Sequence, residues 1–128
     1  MAVVVVIIFI DFVAAHGLVT VKQAEVTANV GDNVTMYCNT TLVEASVDWR
    51  RKLHSADRFE IFCYRGSVVR GREDKFSSSV LQNGSYEVVV KNVQLNDSGE
   101  YRCIETVNNP SYGTIMLSVE GKNSTLLR

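Results

Sequence analysis

Three cysteines, the histidine at position 54 and the stretch NDSGEYRC, Asn96 to Cys103, are the parts of this 128-residue chain whose side chains could do covalent chemistry. A thiol nucleophile needs a base within hydrogen-bond reach and a third group to orient that base. For Cys63 the only histidine beyond the first 17 residues is His54, on a loop with no evident orienting partner. Zinc asks for N and S ligands in short paired spacings, which Cys38, Cys63, Cys103 and His54 do not offer. No set of acid, base and nucleophile can be assembled. The chain is therefore expected not to be an enzyme and to need no metal, cofactor or small-molecule substrate. Charge names no partner either, since 13 basic and 14 acidic side chains nearly cancel. Such a balance leaves no field to draw the chain to nucleic acid or an anionic membrane. Asp97, Gly99, Tyr101 and Cys103 then call for an architectural reading, which depends on the elements that would hold them.

The length allows one domain with a single modest core. Short runs rich in Val, Thr, Tyr and Phe point to strands. The first spans Val19 to Val26, and a turn over Val30 to Asn33 leads into VTMYC, where Val34, Met36 and Cys38 share one face. Further strands are expected over 46–52, 58–66, 74–80, 85–93, 99–107 and 113–120, with a hairpin turn at Asn83-Gly84. Strands punctuated by turns at this rate, with no heptads or repeats, suggest an all-β sandwich or barrel.

Cys38, Trp49, then Tyr101 two positions before Cys103 resemble the core marks of an immunoglobulin domain. The wide interval between the two cysteines leaves room for two extra strands, so the likeness is to the variable type, or V-set. It covers about Val19 to Glu120. The resemblance implies a sandwich of two antiparallel sheets joined by a Cys38–Cys103 disulfide, with Trp49 packed on it and Tyr101 forming the tyrosine corner. Closing a loop of that size contributes on the order of 4 kcal/mol in the chain-entropy model. Gly99 would let the chain turn into the penultimate strand. Asp97 would pair with Lys75, the basic residue before Phe76, in a bond weaker than arginine's two-pronged one. The last strand lacks the Phe-Gly-x-Gly signature of rearranged antibody and T-cell-receptor domains, so the nearer likeness is to germline-encoded receptors, ligands and adhesion proteins.

Strand alternation extends the reading to a surface. With Trp49, Cys63, Tyr101 and Cys103 inward, Ile61 shares the inward face of Cys63. Asp48, Arg50, Phe62, Tyr64, Arg102, Ile104 and Thr106 then point outward, joined by Met116 from the last strand. Arg50, Phe62, Tyr64, Arg102, Ile104 and Met116 form an apolar and aromatic cluster flanked by charge, the composition of a protein interface. Cys63 is expected to be a buried, unreactive thiol, a bridge to another chain being the alternative.

The opening MAVVVVIIFIDFVAA reads as a secretory signal ending at Ala15 or Gly17, against a buried strand as the other reading. Residues 1–17 are thus assigned to the signal, 18–121 to the domain and 122–128 to a tail or the start of a stalk. Five sequons, at Asn33, Asn39, Asn83, Asn96 and Asn123, point to an extracellular glycoprotein. None falls on the strands that carry the outward cluster, so glycans would leave that sheet bare. The expectation is a recognition domain, secreted or at the cell surface, that binds another protein, itself an immunoglobulin-like domain, in immune signalling. The alternatives are a homophilic adhesion module and a soluble decoy.

Overall fold

The computed structural model describes residues 19–41, 46–82, 84–106 and 111–121. The expected signal and tail, and the sequon asparagines at 83 and 123, lie outside the described residues. The strands are β1 (Val19–Val21), β2 (Glu25–Asn29), β3 (Val34–Thr40), β4 (Val47–Leu53), β5 (Glu60–Tyr64), β6 (Ser67–Val68), β7 (Phe76–Val80), β8 (Ser85–Val90), β9 (Gly99–Glu105) and β10 (Ser111–Glu120). A 3-10 turn, Leu95–Asp97, precedes β9. One sheet has the order β1-β3-β8-β7 and the other β2-β10-β9-β4-β5-β6. Pairing is antiparallel throughout, except that β2 runs parallel to β10.

The sheets meet on the alternating apolar faces of their strands. Val34, Met36 and Cys38 from β3 and Tyr86, Val88 and Val90 from β8 face Trp49, Tyr101, Cys103, Ile115 and Leu117, all buried. The Cys38–Cys103 disulfide joins the layers, with its Cα atoms 6.4 Å apart. Trp49 lies opposite Cys103 in the β4–β9 register. The resemblance to a V-set sandwich is met in full at this level, including the two extra strands, β5 and β6, between the cysteines.

Two expectations are corrected. The single first strand over Val19 to Val26 is two strands in different sheets. Lys22 N–H still donates to Tyr37 in the first sheet, while the Ala24 carbonyl already accepts from Met116 in the second, so the chain crosses between them. The second correction concerns β5. Trp49 pairs with Cys63, yet Arg50 pairs with Ile61, leaving Phe62 as the extra residue of a β-bulge. The bulge breaks alternation: Phe62 and Cys63 are both fully buried, and Ile61 turns out to solvent. Phe62 stacks on Phe76 with ring centroids 4.1 Å apart and meets the edge of Tyr101 at 6.1 Å. It is a core residue and no part of an outer cluster.

A two-residue turn at Arg65-Gly66 joins β5 to β6. Both residues have positive φ, 50° and 84°, as the tight hairpin turn matching strand twist requires. Asp48 keeps its outward parity but is covered from solvent: its Oδ1 accepts the Arg65 N–H at 2.9 Å and ties the turn to β4.

Candidate functional site

The candidate face is held in place by a buried charge cluster at one end of the sheet. Arg51 follows Trp49 by two positions on β4, so its side chain also turns inward, where a cation needs an anion. Its Nη1 donates to Asp97 Oδ1 at 2.9 Å and to the Tyr101 hydroxyl at 3.0 Å. Its Nε reaches Glu60 Oε1 at 3.0 Å, which Arg72 also contacts at 3.1 Å. Asp97 Oδ2 accepts Lys75 Nζ at 2.6 Å and the Gln94 N–H at 2.7 Å. Tyr101 donates its hydroxyl to the Asp97 carbonyl at 2.6 Å, closing the corner. Burial alone would raise the Asp97 carboxyl, but the hydrogen bonds from Lys75, Gln94 and Arg51 overcome it and hold its pKa below the ordinary value. Burial pushes the Tyr101 phenol up to about 12. Gly99 is required by close approach: a Cβ there would overlap the Lys52 carbonyl oxygen across the β4–β9 pair. Arg51 escaped the sequence reading although the inward Trp49 carries the signal for it.

Cys63 is a free, buried cysteine, and burial pushes its thiol pKa up, away from the thiolate a nucleophile needs. His54, by contrast, is exposed.

On the outer side of the six-stranded sheet the register sets rows of neighbours. Tyr112, Ile104 and Asp48 face one another across β10, β9 and β4. The next row holds Thr114, Arg102, Arg50 and Ile61, and beyond it stand Met116, Glu100 and Lys52. Arg102 lies over the rings of Phe59 and Tyr112, with its guanidinium 4.4 Å from each centroid, and its Nε contacts Glu100 at 2.7 Å. Arg50 has a looser contact, 3.8 Å to Asp48, and among the described residues nothing hydrogen-bonds its buried Nε. Tyr64 and Tyr112 are about half exposed, at 51% and 53%, and Ile61 and Met116 are nearly as open. Ile61 and Tyr64 line an open apolar depression of about 530 Å³ with Ser67, Val68 and Val69.

A family model for the immunoglobulin V-set domain matches residues 21–119. The chain belongs to the V-set family. A comparison with curated proteins finds no match. V-set domains are characteristically extracellular modules that bind other proteins and carry no catalytic centre. No helix among the described residues is long and apolar enough to cross a membrane.

In this V-set domain the structure places Arg50, Tyr64, Arg102, Ile104 and Met116 on one outer face and removes Phe62 from it. Ile61, Tyr112 and Phe59 belong there and were missed. Ile61 was hidden by the bulge. Tyr112 lies on β10, which starts at Ser111, ahead of the expected start at Gly113, so its outward parity was never assigned. Among the described sequon asparagines, Asn33, Asn39 and Asn96 are exposed, and none lies on a strand of the six-stranded sheet.

Proposed function

We propose that this V-set domain is the recognition module of a secreted or cell-surface protein of the immune receptor or ligand type, and that it binds another protein, itself immunoglobulin-like, through the outer face of the six-stranded sheet. The observation that carries the reading is the set of exposed Tyr64, Ile61, Tyr112 and Met116 around Arg50 and Arg102 on one face. Exposed aromatics with an arginine already stacked between two rings supply area and directional contacts at low entropy cost. Self-association through the centre of this face is disfavoured, because a two-fold axis there would set Arg50 and Arg102 against their own copies.

The test is affinity for a panel of cell-surface immunoglobulin-like ectodomains, followed by substitution. Tyr64→Ala and Tyr112→Ala should each weaken the interaction by about 2 kcal/mol or more. Glu87→Lys, on β8 of the opposite sheet, should leave it unchanged. Loss with Glu87→Lys alone moves the site to the other sheet. Loss with none of the three moves it away from both sheet faces.

A further inference from the structure

The outer side of the four-stranded sheet holds a feature that recognition by the other face does not use. An open depression of about 450 Å³ is lined by Lys22, Tyr37, Asn39, Leu81, Ser85 and Tyr86. Leu81 and its neighbour Val80 are exposed at 43% and 62%, leaving apolar surface open beside a sequon asparagine. Asn39 heads Asn39-Thr40-Thr41, and its side chain is held: Ser85 Oγ donates to Asn39 Oδ1 at 2.6 Å across the β3–β8 pair. An N-linked sugar bonds to Nδ2 and leaves Oδ1 free to accept, so attachment and the Ser85 bond are compatible. Lys22 sits over the Tyr37 ring, 4.8 Å from its centroid, and brings ammonium donors to the same depression.

We propose that Asn39 carries an N-linked glycan whose first N-acetylglucosamine seats in this depression, covering Leu81 and Tyr37 and acting as a fixed part of the domain. The linkage forms as Nδ2 attacks the sugar's C1: the Nδ2–C1 bond replaces the C1–O bond to a lipid diphosphate donor, the amide loses one proton, and the lipid diphosphate leaves. The occupant is set by its point of attachment, since a sugar bonded to a residue lining the depression begins at its wall. Its apolar ring face then meets Leu81 and Tyr37, and its hydroxyls and acetamide lie within reach of the polar wall formed by Lys22 and Ser85. The proposal rests on the extracellular reading above.

The experiment uses the chain secreted from animal cells and trimmed enzymatically to a single N-acetylglucosamine per site. Glycopeptide mass spectrometry should find Asn39 occupied. Nuclear Overhauser contacts should join the acetamide methyl of that sugar to the Leu81 methyls or the Tyr37 ring. Leu81→Ser should lower the melting temperature of the trimmed protein by about 3 °C more than it lowers that of Asn39→Gln, which lacks the sugar. Occupancy at other sequons with Asn39 empty overturns the proposal and leaves the extracellular reading intact. Occupancy without those contacts, with equal effects of Leu81→Ser in both backgrounds, overturns the seating. A chain with no sugar at any sequon overturns the extracellular reading as well.

Discussion

Asp97 is reached by two cations of unequal standing. Arg51 is almost wholly buried, at 6% side-chain exposure, whereas Lys75 is at 26%. Removing Arg51 takes away the donor at buried Asp97 Oδ1 and the donor that the Tyr101 hydroxyl accepts, so Arg51→Met should cost about 3 kcal/mol in chemical denaturation. Lys75→Ala leaves Arg51 in place and should cost about 1 kcal/mol. The same cluster sets an acid limit. Because the folded-state pKa of Asp97 lies below the ordinary carboxyl value of 3.8, its stabilisation is fully present above that value and is lost as pH falls through the folded pKa. The spacing of Asp97, Tyr101 and Cys103 could be read from the chain because each is defined by its neighbours in sequence. Arg51 could not be read as easily, since its buried partners Asp97 and Tyr101 lie 46 and 50 positions away.

β5 is where sequence and structure part. Strict alternation over RFEIFCYRG turns Ile61 and Cys63 in and Phe62 and Tyr64 out, and two of those four placements hold, Cys63 in and Tyr64 out, while the bulge exchanges the other two, burying Phe62 and exposing Ile61. A bulge is a property of the pairing between two strands, so it leaves no mark in the spacing of one. The buried position has a measurable consequence. Phe62→Ala should destabilise the domain by about 3–5 kcal/mol in urea unfolding, while Ile61→Ser should change stability by less than about 1 kcal/mol. Equal and small effects would place Phe62 on the surface after all. Other elements needed no such correction: β3, β8 and β9 keep perfect alternation in burial, and the two-sheet sandwich with its disulfide followed from Cys38, Trp49, Tyr101 and Cys103.

For the whole molecule, the two sheets present different surfaces. One carries a cross-strand pair of arginines among exposed aromatics; the other carries Asn39 and the depression beside it. With like charges at the centre of the open face, the glycosylated domain should sediment as a monomer up to about 100 µM at low salt. A concentration-dependent dimer that Arg50→Glu disrupts would instead favour the homophilic reading. The strand exchange at the start of the domain has a mechanical consequence. β2 and β10 run parallel over five paired positions, from Glu25 with Met116 to Asn29 with Glu120. Tension applied between the start of β2 and the end of β10 pulls these neighbours past each other, so every hydrogen bond of the pair resists at once. An antiparallel pair gripped at adjacent ends would peel one bond at a time. A pull that reaches β2 and β10 at those two ends therefore meets a pair loaded in shear, and that edge holds until its bonds fail together.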